Sequence, residues 1–274
     1  MRDEGRGQLK GSLLDLRSLE DSPTVANCRM NREREIRGTN SYAADLGFDV
    51  IQFVCERLER RESVAWLDLC CGSGRALIQA AECFRDLGLA NRVSLLGLDL
   101  VDLFAAVPAG IENLTFVAAS VHDWEPAQAF DLVTCVHGLH YVGDKLNLIA
   151  RAASWLRPDG LFAAHLDLNN VKLVEPGGLA PSSHEPPGLS RGSGPLTPGP
   201  SPARGEGWKM RARSANALLG KEFKRLGLEY DRRRHIVACR GQRRIEFPFR
   251  YLGADDEAGP NFTQQPAVDS YYER

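Results

Sequence analysis

The chain has 274 residues, 43% apolar and 26% charged, enough for one sizeable α/β domain with appendages and typical of an ordinary globular protein. No run of about 18 apolar residues occurs, which excludes a membrane-spanning helix, and the N-terminus has no apolar core of a secretory signal. A formal net charge of −2 argues against a protein that coats nucleic acid over its whole surface.

Residues 1–30 carry no sustained hydrophobic period and are expected to form a mostly disordered leader. From Ser41 to Arg60, Leu46, Ile51, Val54 and Leu58 recur at helical spacing opposite Glu56, Arg57 and Glu59. Val64 to Leu67 reads as a buried strand. Gly72-Ser73-Gly74 then breaks the chain, and Ala76 to Leu87 is helical. Strands follow at Val93–Leu98, Leu114–Ala118, Phe130–Val136 and Leu161–Leu166, with a short helical piece after the first of these and an amphipathic helix at Asp144–Leu156. Apolar strands alternating with helices predict a parallel sheet covered on both faces.

Between Pro176 and Gly207 the chain is mostly Gly, Pro and Ser, too poor in apolar side chains to build a core. Pro195 to Gly207 resembles the translated form of an interspersed bacterial DNA repeat. The segment is expected to be a disordered, passive insertion, with a flexible lid as the other reading. Helical pattern resumes at Ala212–Leu226. Leu228–Cys239 and Arg244–Leu252 then flank the turn Arg240-Gly241-Gln242-Arg243, predicting a terminal antiparallel hairpin. The domain so defined runs over 31–252, interrupted at 176–207. The tail 253–274 holds Phe262, Tyr271 and Tyr272, and either packs on the domain or stays disordered. Seven cysteines without a Cys-x-x-Cys pair predict reduced thiols in a cytoplasmic protein, and no metal site.

Three features carry chemistry. Asp68-Leu69-Cys70-Cys71-Gly72-Ser73-Gly74 joins a buried strand to a helix, where glycines admit close backbone approach and the helix start offers unpaired N–H groups. Asp99, in Gly97-Leu98-Asp99-Leu100, stands at the end of the second strand, where a carboxylate can accept both hydroxyls of a ribose. The next strand ends at Ala118-Ala119-Ser120, and Phe130-Asp131-Leu132-Val133 follows. That order predicts a nucleoside site across the carboxyl ends of adjacent parallel strands.

In these motifs the chain resembles the class I S-adenosylmethionine (SAM)-dependent methyltransferases, from about Arg37 to Leu252. The resemblance implies a Rossmann-like, seven-stranded, mostly parallel sheet with helices on both faces and a C-terminal antiparallel hairpin. It implies SAM as cofactor, with Asp68, Cys70, Gly72 and Gly74 around its methionine part and Asp99 and Leu100 at its ribose. Ser120 and Val121 stand where the family has an Asp and an adenine-contacting residue; Asp123 is a possible substitute for the missing acid. Leu156-Arg157-Pro158-Asp159-Gly160 resembles the turn before the family's fifth strand. Cys70 replaces the usual first glycine, a version similar to that of quinone-biosynthesis members. The third glycine of a nicotinamide-binding Gly-x-Gly-x-x-Gly is missing.

Methyl transfer from a sulfonium is an in-line displacement, so holding the acceptor in line supplies most of the catalysis. The segment Cys135-Val136-His137-Gly138-Leu139-His140-Tyr141 lies where the family lines its methyl-transfer pocket. Cys135 is expected at the cofactor, and His137, His140 and Tyr141 at the reacting centre, because His titrates nearest neutrality. Tyr42 either folds over the site or is a core tyrosine, and Asn169 either bonds the acceptor or forms a turn. Trp124 stacks on adenine or belongs to the core. Arg232, Arg233, Arg234, Arg240, Arg243 and Arg244 on the proposed hairpin read as an edge protected by charge or, less favoured, as an RNA-binding edge. The function expected is methyl transfer to a small molecule without a metal. A nucleic-acid methyltransferase and a SAM-binding protein without catalysis are the alternatives.

Overall fold

The computed structural model describes residues 13–26, 33–174, 212–214 and 216–274. The chain opens with two short helices, α1 (Leu16–Glu20) and α2 (Pro23–Ala26), where a structureless leader was expected. The missed signal is Asp15, whose side chain accepts the Ser18 N–H at 2.8 Å and caps the helix start. The single helix expected over 41–60 is two. Ser41 caps α3 (Tyr42–Leu46), Gly47 ends it in the left-handed conformation at φ 76°, and Asp49 caps α4 (Val50–Leu58) through the Ile51 and Gln52 N–H groups.

The alternating part follows as β1 (Val64–Leu69), α5 (Arg75–Asp86), β2 (Val93–Asp99), β3 (Leu114–Ala118), β4 (Phe130–Cys135), α6 (Lys145–Ser154) and β5 (Leu156–His165). The helical piece expected after β2 is absent. Residues 100–113 are irregular: Pro108 and Gly110 interrupt the segment before a helix can form. Leu156–Gly160, expected as a turn before the fifth strand, is instead the start of β5, joined to β4 through an irregular register between Phe130 and Leu132.

The remaining elements are β6 (Val171–Val174), β7 (Ala212–Ser214), α7 (Asn216–Arg225), β8 (Glu229–Asp231), β9 (Ile236–Arg240), β10 (Arg250–Asp255) and β11 (Asp269–Glu273). The main sheet has seven strands in the order β3-β2-β1-β4-β5-β9-β8. Strands β1 to β5 pair in parallel, and β9 runs antiparallel to both neighbours. The fold class is therefore the Rossmann-like one expected. The hairpin is displaced, however: β8 and β9 form it around Arg232–His235, and Arg244–Leu252 is no part of it. Asp231 sets that turn by accepting the N–H groups of Arg233 and Arg234, a local preference of Asp that a search for glycine overlooks.

Along the central strands successive side chains serve opposite faces. Leu67, Val133 and Phe162 pack with Ile149 of α6 and with Leu219 and Phe223 of α7. Trp66, Leu132 and Ala163 pack with Val54 of α4 and with Leu77 and Phe84 of α5. Each such fully buried side chain contributes about 1.5–3 kcal/mol, so both layers hold the sheet.

A second sheet, unforeseen from sequence, has the order β10-β11-β6-β7. It settles the tail, whose β11 pairs with β6 and β10 and buries Tyr271 and Tyr272. Lys145, fully buried at the start of α6, donates to the carbonyls of Val142 and Val268 and to Ser270 Oγ at 2.7–2.8 Å. The Leu146 N–H donates to Tyr272 Oη, which itself donates to Asp144. These bonds lock the last strand to the main domain. Among the described residues no helix is long and apolar enough to cross a membrane. Residues 176–207 lie outside those described.

Candidate active site

The sheet order reverses direction at β1, between β2 and β4, and open α/β sheets bind ligands outside the carboxyl ends of their strands at such a point. The turn after β1 is built for close approach there. Cys70, Gly72 and Gly74 have φ of 55°, 62° and 73°, a left-handed conformation that costs a non-glycine residue about 1–2 kcal/mol. The Cys71 N–H donates to Leu98 O at 3.1 Å, and the Gly72 N–H to Asp99 Oδ2 at 2.8 Å. Asp99 Oδ1 accepts the Val101 N–H at 3.3 Å. One carboxylate thus ties the glycine turn to the end of β2. Gly74 is required by its neighbour, because a Cβ there would sit 2.1 Å from the Phe116 ring.

Above this floor opens an apolar cleft of about 680 Å³, counted out to its open mouth. Of the residues expected at the cofactor, Cys70, Gly72, Asp99, Leu100 and Val121 line it, as do His137 and Tyr141 of those expected at the reacting centre. Its outer wall is Leu19, Glu20 and Val25, from the segment expected to be disordered. Ser120 donates its hydroxyl to the Glu20 carboxylate, so α1 brings an acid beside the position where the family's acid was missing. Glu20, rather than Asp123, is the acid on the cleft wall. Burial raises its carboxyl above the usual range.

Several expected residues stand elsewhere. Gly74 begins α5 rather than lining the cleft. Asp68 and Cys135 are buried beneath the floor. Both Asp68 oxygens are engaged at 2.6 Å, by the hydroxyls of Tyr42 and Thr134, and Thr134 in turn accepts from Trp66 Nε1. Burial pushes the Asp68 carboxyl up to about 7. Tyr42 is therefore fixed in the core and lines neither of the two clefts. Asn169 is exposed, accepts a bond from Asn216 and does not line the apolar cleft. Trp124, half-buried, packs edge-on against Trp155, at 5.7 Å and 87°, on the margin of the core. His140 is fully buried and touches neither cleft. Its backbone carbonyl accepts the Val268 N–H.

A second, polar cleft opens on the other side of His137, lined by Arg34, Asp45, His165, Arg233, Arg234 and Phe262 among others. His137 holds φ 60° in the loop after β4 and is the residue common to the two clefts. Its ring stacks on His165, centroids 4.1 Å apart and 15° from parallel, and its Nε2 lies 3.4 Å from Asp45 Oδ2. Burial lowers both imidazoles, His165 to about 3, so both are neutral near pH 7. Burial also pushes the Asp45 carboxyl up, but His137 and Arg34, its ion-pair partner, outweigh this and hold it below the usual range. Sequence reasoning missed Asp45 and His165. Neither stands in a motif, and only the fold brings them to His137.

The arginines expected in one cluster are split. Arg232, Arg233 and Arg234 sit before β9, and Arg240, Arg243 and Arg244 at and beyond its far end, about 17 Å away at the rise of a strand. Among the described residues, Cys55, Cys70, Cys71, Cys83, Cys135 and Cys239 are free thiols.

A family sequence model described as a methyltransferase domain matches residues 37–228, and the chain belongs to that family. No curated protein matches it. Among solved structures it is similar to coclaurine N-methyltransferase bound to N-methylheliamine and SAH, with 16% identity over 48% of this chain and 39% of that one and a TM-score of 0.35. A SAM-bound amino pentose methyltransferase of calicheamicin biosynthesis from Micromonospora echinaspora shares 24% identity over 43% and 48% of the two chains, with a TM-score of 0.33. The 4+2 cyclase SpnF shares 20% over 58% and 63%, with a TM-score of 0.38. In each comparison less than two thirds of the solved chain is spanned.

Proposed function

We propose that the protein is a SAM-dependent methyltransferase acting on a small-molecule acceptor. The observation that carries this is Asp99, a buried carboxylate at the end of β2 that organises the glycine turn and faces the apolar cleft. Two oxygens on one rigid strand end suit the paired hydroxyls of a ribose. Val121 and His122 then flank the adenine, with Glu20 as acceptor for its amino group, and the Cys70–Gly72 turn takes the methionine part. The sulfonium lies toward His137, and the acceptor enters from the polar cleft beyond it. The chain's contribution to the reaction is alignment: the acceptor atom, the methyl carbon and the sulfur are held in line while the cleft walls exclude water.

Calorimetric titration with SAM, S-adenosylhomocysteine and NAD tests the reading. Micromolar binding of both sulfur ligands, lost in Asp99→Ala and not seen with NAD, is expected. Absence of binding by either sulfur ligand would sink it. The small-molecule assignment is tested separately, because salt-sensitive RNA binding would favour a nucleic-acid acceptor instead.

A further inference from the structure

Asp45 of α3, His137 of the loop after β4 and His165 at the end of β5 come from distant parts of the sequence and converge on the wall of the polar cleft. One ligand-type atom from each lies within 4.8 Å of the other two. Two ligands bound about 2.0–2.1 Å from a tetrahedral ion stand about 3.4 Å apart. His137 Nε2 and Asp45 Oδ2 already have that spacing, at 3.4 Å. An imidazole binds an ion in the plane of its ring, so His165 joins the set by turning out of its face-to-face stack on His137.

The hydrogen bonding of the two rings is unfinished in the same place. His137 and His165 are each 2% exposed. Nδ1 of His137 and Nδ1 of His165 have no hydrogen-bond partner among the described residues, and His137 Nε2 makes only the 3.4 Å approach to Asp45 Oδ2. A neutral imidazole has one donor and one acceptor to satisfy, and leaving such a group buried and unpaired costs about 1–3 kcal/mol. Stacking of the ring faces meets neither need. Imidazole nitrogens beside a carboxylate oxygen are, however, what a metal ion requires.

We propose that Asp45, His137 and His165 bind a divalent first-row transition metal ion, such as Zn²⁺ or Fe²⁺, with its open positions facing the polar cleft. Two histidines and one carboxylate suit these ions and leave coordination sites for a substrate. Arg34 grips the same carboxylate and, as an outer partner, orients it. Arg34, Arg233 and Arg234 also make the cleft electropositive, so the open positions take anionic oxygen. If the methyl-transfer reading holds, that oxygen belongs to the acceptor, and the cation lowers its pKa beside the methyl group without a strong base. The metal site itself does not depend on that reading.

Tag-free protein, stripped with EDTA and dialysed, is titrated with Co²⁺ in the absence of SAM. The bands of a protein-bound ion, the metal stoichiometry and the proton NMR spectrum are then recorded. One Co²⁺ per chain is expected, micromolar or tighter, displaced by Zn²⁺, with two paramagnetically shifted imidazole N–H signals. Asp45→Ala and His165→Ala should each weaken binding at least about 100-fold. His140→Ala, outside the set, should leave it unchanged. Circular dichroism confirms that the variants fold, and the NMR signals test the ligands in the unaltered protein if they do not. Stoichiometry far below one, fewer than two shifted imidazole signals, or equal affinity in folded Asp45→Ala and His165→Ala overturns the proposal. A failure of Co²⁺ binding leaves the SAM reading standing. Failed SAM binding with Co²⁺ retained would do the reverse.

Discussion

The two clefts that meet at His137 are made in different ways. The apolar cleft is built around a glycine turn and strand ends, its lining drawn from the segments that follow β1, β2, β3 and β4, with α1 and α2 as its outer wall. The polar cleft is a ring of side chains from α3, β5, the β8–β9 turn and the loop before β11, with few neighbours in sequence. A site made of backbone must announce itself through residues that permit unusual φ and ψ, whereas one made of side chains is defined only by the fold. The glycine turn of the first was therefore legible in the sequence, whereas Asp45 and His165 of the second were not.

The sharpest way to break this contrast is at Asp99. Asp99→Ala removes a charged acceptor and the tie to the Gly72 N–H together, and should weaken SAM binding about 100-fold by calorimetry, since bonds to charged groups contribute about 1.5–3 kcal/mol each. Retained affinity would mean that the turn alone makes the site.

Beneath the floor, Asp68 offers a pH test. Its carboxyl is raised from 3.8 to about 7 in the folded protein, so its contribution to stability is fully present below about pH 3.8 and is lost as pH rises through about 7. Compared with Asp68→Asn, the native chain should lose about 1–2 kcal/mol of stability between pH 5 and 7 in urea titrations. Parallel curves for the two proteins would show that Asp68 is ionised throughout.

A smaller effect is expected on the outer wall. Glu20→Ala should weaken SAM binding about tenfold while Glu20→Gln restores part of it, one hydrogen bond being at stake. No change would reduce α1 to a cover. The smallest effect concerns His140, whose ring nitrogens are both buried and without partners among the described residues. His140→Leu should raise stability by about 1 kcal/mol. A destabilised variant would mean that the ring holds a bond supplied from outside the chain.

The sheet was legible because β1, β3 and β4 are short, mostly apolar runs, and Leu114–Ala118 falls where the sequence places it. The errors share a cause. Gly47 and Asp49 together stop one helix and start another, but the apolar spacing runs straight across them. The hairpin turn was sought at Gly241, although Asp231 makes it with its side chain. β11 was missed because Asp269–Glu273 has too few apolar residues to read as a strand, and its pairing with β6 depends on contacts across the chain. Glu20 was hidden in a segment judged by composition alone. His140, picked for its residue type, proved to be core.

The bridge between Leu14 and Ala254, with N–H to carbonyl distances of 2.8 and 3.0 Å, joins the first described strand-like residue to β10. On the ribosome the segment that walls the apolar cleft is made before the seven-stranded sheet, and its anchor in β10 after it. The seven-stranded sheet can assemble while α1 still waits, and the apolar cleft gains its outer wall only when β10 arrives. A nick or premature stop after Arg240 would therefore leave a sheet with all its own strands but a cleft open on one side.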